Sequence, residues 1–111
     1  MDCSYDTTSR AVIVTAQGKV DEATWEAFGR HLDNGIQQAI QGGRGMLVID
    51  LSGLEYMSSR GLRALTIAKR QADDSGIAIT LAAPNEVMRE ILAISRYDKL
   101  FPITDTVEAA S

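Results

Sequence analysis

The sequence predicts an α/β fold: a mixed, mostly parallel β-sheet with an N-terminal hairpin and crossover helices, in the order β-β-α-β-α-β-α-β. Short apolar runs rich in β-branched residues alternate with segments whose apolar residues recur every three or four positions. After the first two runs, each helical segment separates two strand candidates, and such a connection makes the flanking strands parallel. The length of 111 residues is typical of one domain. We therefore expect a single domain over residues 1–111.

The first third of the chain predicts a hairpin followed by a long helix. Residues 3–6 and 11–17 are the two strand candidates, and turn-forming residues lie between them. Asp21 is a good N-cap and is expected to begin the helix. The apolar stripe of this helix comprises Trp25, Phe28, Leu32, Ile36 and Ala39.

A third strand and a second helix follow the glycine-rich residues 42–45. Residues 46–51 are almost entirely apolar, as in a strand covered on both faces. Ser58 and Ser59 are expected to open the next helix, with Ser58 as its cap. The buried stripe of that helix comprises Leu62, Leu65, Ala68 and Ala72.

The last third predicts a strand, a helix and a short final strand. Residues 77–81 form the strand, and Pro84 suits the first turn of the third helix because that position needs no N–H donor. The stripe of this helix comprises Val87, Met88, Ile91 and Leu92. Residues 100–103 are the last strand, and Pro102 predicts that it lies at an edge of the sheet.

Composition excludes several function classes. The net charge of −4 lacks the basic excess of a nucleic-acid-binding protein. A single cysteine forms no internal disulfide, and no apolar run is long enough to span or insert into a membrane, so we expect a cytoplasmic protein. One histidine, His31, and one cysteine cannot build a zinc site, so we expect no metal and no cofactor.

Enzymatic activity is not expected from these residues. A serine hydrolase using Ser59 is the enzymatic alternative, but His31 is the sole histidine and falls in a helical segment rather than at a strand end. Asp50, at a strand end, is expected to bond loop N–H groups and to be structural.

Two junctions between strand and helix carry the candidate site. In parallel α/β sheets, functional groups collect at the carboxyl ends of the strands. Residues 18–24 and 56–62 are two such junctions, separated by one helix and one strand. If the two strands are neighbours, Asp21 and Ser59 share an edge of the sheet.

Four segments in this order resemble a known family. Residues 18–21 (GKVD) are similar to its Gly-x-hydrophobic-Asp pattern, and residues 47–50 (LVID) to its strand ending in Asp or Asn. Residues 57–62 (MSSRGL) resemble its Met-Asp-Ser-Ser/Thr-Gly-Leu signature, and residues 95–101 resemble its closing segment. The family is the sulphate transporter and anti-sigma antagonist domain, STAS, in its stand-alone bacterial form, the anti-sigma factor antagonist.

The resemblance implies a phosphorylation switch. In that family a partner kinase of the histidine-kinase-like ATPase fold, which is also the anti-sigma factor, phosphorylates the serine after the Asp, and a phosphatase restores it. The matching acceptor is Ser59. Ser58 stands where the family usually has Asp, and Arg60 stands where Ser or Thr usually precedes the glycine, here Gly61. The alternative within the family is a STAS subunit or scaffold of a membrane transport or sensory complex, without this switch.

Physical chemistry supports a switch at this position. A phosphoserine carries about −1.5 to −2 charges, and a helix N-terminus offers it free N–H groups and a favourable dipole. Arg60 and Arg63 are expected to stabilise the phosphate, and Asp21 to oppose it or to bond the unmodified serine or arginine. With Lys69 and Arg70, the two arginines form a basic cluster that would attract an acidic partner, although such clusters are more often solvated.

Overall fold

Five strands form one mixed sheet in the computed structural model, which describes residues 1–111. The elements are β1 (Cys3–Thr7), β2 (Ala11–Val20), α1 (Trp25–Gln41), β3 (Met46–Met57), α2 (Ser59–Asp74), β4 (Ala78–Ala82), α3 (Glu86–Ile94), β5 (Ile103–Thr104) and α4 (Val107–Ala110). The strands lie side by side in chain order. β1 pairs antiparallel with β2, and every later pair is parallel. The predicted fold class is confirmed, and the short helix α4 is an addition to it.

The main core lies between one face of the sheet and the three longer helices. It is built from alternate residues of the strands and from the buried stripes of α1, α2 and α3, which include Phe28, Leu65 and Met88. A smaller cluster on the opposite sheet face packs beneath α4. Val87, expected in the stripe of α3, is half exposed, because Met88 and Leu92 occupy the side of the helix that faces the core.

α1 begins later than predicted, and Asp21 is not its N-cap. Thr24 occupies the cap position, without a side-chain cap bond. Asp21 instead closes the preceding turn: its carboxylate accepts from the N–H of Ala23 at 3.0 Å, and its carbonyl accepts from the N–H of Trp25 at 2.9 Å. The Thr24 hydroxyl donates to the carbonyl of Lys19 at 2.6 Å, which ties this turn to the end of β2.

Pro84 lies before α3 and not in its first turn. Asn85 is the N-cap, and its side-chain oxygen accepts from the N–H of Met88 at 2.9 Å. The same side chain donates to the carbonyl of Leu54 at 2.8 Å, so a contact with β3 determines where α3 begins.

The remaining differences concern strand length. β2 continues to Val20, three residues beyond its predicted end, and β3 continues to Met57, six residues beyond its own, because the two strands keep pairing past two irregularities in register. The last strand is Ile103–Thr104, where residues 100–103 were expected. It lies at the edge of the sheet as predicted, and the carbonyl of Pro102 accepts from the N–H of Leu81 at 3.0 Å. No helix of the structure has both the length and the apolar character needed to cross a membrane.

Candidate functional site

The carboxyl ends of β2 and β3 lie next to each other. Their last residues, Val20 and Met57, are partners in the parallel pairing. The N–H of Ser58 then donates to the carbonyl of Val20 at 2.8 Å, which holds the start of α2 against the end of β2. The turn that contains Asp21 and the helix that begins with Ser59 therefore share one edge of the sheet, as the sequence predicts.

The two serines at this edge differ in their bonding. Ser58 has extended backbone angles, and its hydroxyl accepts from the N–H of Gly61 at 3.3 Å, so it is the N-cap of α2. Ser59 is the first helical residue and is exposed. Its hydroxyl has no hydrogen-bond partner within the protein.

Gly61 allows the first turn of α2 to lie this close to the sheet. A Cβ atom at this position would lie 2.5 Å from Cγ of Met57 and 2.7 Å from Cγ1 of Val20, well inside van der Waals contact. Both neighbours are buried and belong to the paired strand ends. A side chain here would push Ser58 and Ser59 away from the edge.

Arg60 is held by groups that precede or begin α1. Its Nε lies 3.3 Å from a carboxylate oxygen of Glu22, and its guanidinium lies 5.4 Å from the centroid of the Trp25 ring. The expectation that Asp21 bonds the serine or the arginine was wrong: its carboxylate bonds the N–H of Ala23 and the hydroxyl of Thr24. Glu22 is the acid that contacts α2; no motif singled it out, although it adjoins Asp21.

Ser59 opens a basic groove along α2. Ser59, Arg63, Thr66 and Arg70 are spaced four, three and four apart, so they share one face of the helix. With Arg60, Ile67 and Tyr97 they line a groove of about 500 Å³. The hydroxyls of Thr66 and Tyr97 lie 2.7 Å apart and connect α2 to the segment after α3.

A second, larger groove of about 690 Å³ lies between α1 and α2. Its lining includes Trp25, Gly29 and Ala64, together with charged residues of both helices. Arg60, Arg63 and Ile67 line both grooves, so Arg63 and Ile67 form part of a ridge between them.

Two other candidate residues serve the fold. Asp50 was expected at a strand end, bonded to loop N–H groups, but it lies within β3: it accepts from the N–H of Ser52 on the same strand at 3.0 Å and from the hydroxyl of Thr15 on β2 at 3.2 Å, so its contacts are structural. Nδ1 of His31 lies 2.6 Å from the Tyr5 hydroxyl on β1. The only histidine therefore does not bond Ser59, and the pairing of base and nucleophile that a serine hydrolase needs is not formed.

Comparison with known proteins gives one family. The family model described as the STAS domain matches residues 3–110. A Bordetella bronchiseptica protein provisionally named the anti-sigma factor antagonist BtrV is 28% identical over 111 residues, which cover 100% of this chain and 92% of that protein.

Solved structures share the fold. An anti-sigma factor antagonist from Mycobacterium paratuberculosis superposes with a TM-score of 0.84 at 22% identity, covering 98% of this chain and 89% of that one. The Bacillus cell fate determinant SpoIIAA, in its phosphorylated form, superposes with a TM-score of 0.68 at 21% identity, covering 98% and 96%.

Proposed function

The chain belongs to the STAS domain family, and from that premise we propose that it acts as an anti-sigma factor antagonist controlled by phosphorylation of Ser59. The unphosphorylated chain binds an anti-sigma factor that is also a serine kinase of the histidine-kinase-like ATPase fold. Binding releases the client of that partner. Phosphorylation ends the binding, and a phosphatase restores it.

The observation that carries this proposal is the contrast between the two serines. The Ser58 hydroxyl is engaged as a cap, whereas the Ser59 hydroxyl is exposed and unbonded at the first position of α2. The names of two similar proteins agree with it, since BtrV is provisionally named an anti-sigma factor antagonist and SpoIIAA has been solved in a phosphorylated form.

The transfer itself needs no catalytic group from this chain. The Ser59 oxygen attacks the γ-phosphorus of ATP held by the kinase, the bond to the β-phosphate oxygen breaks, and the hydroxyl proton passes to a base of the kinase. The products are phosphoserine and ADP. Water later attacks the phosphorus in the phosphatase and returns the serine with inorganic phosphate. The phosphate adds about −1.5 to −2 charges at an exposed surface, and a partner fitted to the bare hydroxyl is rejected.

Site mapping tests the choice of serine. The chain is incubated with labelled ATP and the histidine-kinase-like serine kinase of its own host, and the labelled peptide is identified by mass spectrometry. We expect Ser59→Ala to abolish incorporation and Ser58→Ala to retain it. Undiminished labelling of Ser59→Ala, with loss in Ser58→Ala, would show that the wrong serine was chosen.

Isothermal titration with the same kinase tests the switch. Ser59→Ala should bind as the unmodified chain does, and Ser59→Asp should bind more weakly, although one carboxylate reproduces only part of the charge of a phosphate. Equal affinities of the two variants would contradict a charge-based switch. If the chain does not bind this kinase and instead binds a transporter subunit, it is the STAS subunit of a transport complex.

A further inference from the structure

The groove below Ser59 is cationic on a protein that is acidic overall. The chain has a net charge of −4, yet three of the seven residues that line this groove are arginines and none is Asp or Glu. A concentration of one charge that opposes the net charge of the protein creates a local field, and that field selects ligands of the opposite sign.

The arginines of this groove differ in how far they are already neutralised. Arg60 is paired with Glu22 and lies over Trp25. Arg63 and Arg70 form no salt bridge, although both are exposed and could reach a partner. Lys69 lies between them in sequence, but it is paired with Asp73 at 3.0 Å and does not line the groove. The two guanidinium groups without a salt-bridge partner therefore form a localised cationic surface rather than part of a uniformly charged helix.

Apolar area adjoins these two arginines. Ile67 is 45% exposed and lies on the same helix, four residues after Arg63 and three before Arg70. Ile67 also lines the groove between α1 and α2. An apolar side chain of a ligand can therefore pack against Ile67 while acidic side chains of the same ligand contact Arg63 and Arg70. Arginine beside apolar surface is a combination enriched at the centres of protein interfaces.

We propose that this groove binds an acidic segment of a protein partner, one that carries carboxylates for Arg63 and Arg70 and an apolar residue for Ile67. Phosphate on Ser59 occupies the same site from within the chain. The proposal rests on the function proposed above and adds the chemistry of the partner to it. Phosphorylation then acts in two ways: the phosphate binds the arginines that the partner would otherwise bind, and its negative charge repels the carboxylates of the partner.

The helix geometry permits this competition. Ser59 and Arg63 are one turn apart, the spacing at which side chains of opposite charge meet on a helix. Guanidinium and phosphate form charge-assisted bonds, often two at once, and these are stronger than bonds between neutral groups. The phosphate does not need to displace Arg60 from Glu22, because Arg63 is unpaired.

Peptide binding tests the groove directly. The probe is a short fluorescein-labelled peptide of alternating Glu and Leu, and its control has Gln for Glu. We expect fluorescence anisotropy to show binding of the Glu peptide only, and Arg63→Gln and Arg70→Gln to weaken it about twofold to fivefold each. Lys69→Gln is the matched control, since it removes the same charge from the same helix outside the groove, and it should change the affinity less than about twofold.

The phosphorylated protein provides a second test. Phosphate on Ser59 should weaken binding of the Glu peptide, and in the phosphorylated chain Arg63→Gln should raise the second pKa of the phosphoserine, measured by phosphorus NMR, while Lys69→Gln leaves it unchanged. Equal binding of the two peptides, or equal effects of Lys69→Gln and Arg63→Gln, would overturn the proposal.

The outcomes separate this inference from the proposed function. If the kinase binds the chain and phosphate on Ser59 abolishes that binding, while Arg63→Gln and Arg70→Gln bind the kinase normally, the switch stands and the acidic partner is wrong. If the kinase fails to bind at all while the Glu peptide binds through Arg63 and Arg70, the groove stands and the anti-sigma role is wrong.

Discussion

Replacing Gly61 with alanine should destabilise the protein and move the start of α2. The added Cβ would lie 2.5 Å from Cγ of Met57 and 2.7 Å from Cγ1 of Val20. Val20 is β-branched and fully buried, so it cannot turn aside. Overpacking of this kind costs about 1–3 kcal/mol, and the better helix propensity of alanine offsets up to ~1 kcal/mol of it. We expect a net loss of about 1–2 kcal/mol, or roughly 4–9 °C in Tm.

Gly29→Ala is the matched control. Gly29 also lies in a helix that packs on another, but a Cβ there would meet only Cβ of Ala64, at an ordinary 3.9 Å. The helix propensity then dominates, and we expect a gain of up to about 1 kcal/mol. Urea denaturation of the wild type and both variants measures the difference. The reasoning fails if Gly61→Ala is as stable as the wild type, or if Gly29→Ala loses as much as Gly61→Ala does.

Three further predictions concern the same molecule. Ser58→Ala should lose about 1 kcal/mol of stability in urea through its missing cap, and Ser59→Ala less than about 0.5; equal losses would contradict the assignment of the cap. Arg60→Gln should shift the emission of Trp25, the only tryptophan, to longer wavelength by exposing its ring, whereas an unchanged spectrum would show that Arg60 does not cover it in solution. Burial raises the pKa of the Cys3 thiol, so iodoacetamide at about pH 8 should alkylate it more slowly in the folded than in the urea-unfolded chain. The free energy of unfolding should also decrease as pH rises from the ordinary thiol pKa through the raised pKa of Cys3 in the folded state, because the thiol ionises at lower pH in the unfolded chain. Cys3→Ser should remove this decrease.

Local patterns were sufficient to predict most of the fold. Apolar runs rich in β-branched residues place the strands, and apolar residues that recur every three or four positions place the long helices, because burial imposes both patterns. The Ser58 cap and the edge shared by Asp21 and Ser59 also follow from local rules, since parallel strands bring their carboxyl ends together.

The starts of two helices could not be predicted in this way. Asp21 and Thr24 both suit a cap, and the bond from Thr24 to the carbonyl of Lys19 belongs to the folded turn and not to either residue alone. Asn85 begins α3 with the help of Leu54, which is 31 positions away. A local sequence pattern cannot predict such contacts, which form only in the folded chain.

The basic cluster shows the same limit in the candidate site. Arg63, Lys69 and Arg70 look alike in sequence, but Asp73 neutralises Lys69 while the two arginines stay unpaired in one groove. Tyr97 completes that groove from a segment 31 residues beyond Thr66, and no helical spacing predicts it. Only the tertiary arrangement shows which basic residues are paired and which line the proposed binding surface.

The two departures from the commonest STAS motif act in the same electrostatic direction. Ser58 replaces an Asp, and because serine and aspartate are about equally good N-caps, the start of α2 is preserved while a negative charge is removed. Arg60 adds a positive charge one residue after Ser59, the proposed acceptor; Glu22 offsets part of that charge, and the guanidinium lies over the Trp25 ring. The capping geometry that presents Ser59 is therefore retained, while the field around its hydroxyl becomes more positive. A more positive field would stabilise the phosphorylated form and would attract carboxylates to the unphosphorylated one, in agreement with the acidic partner proposed above.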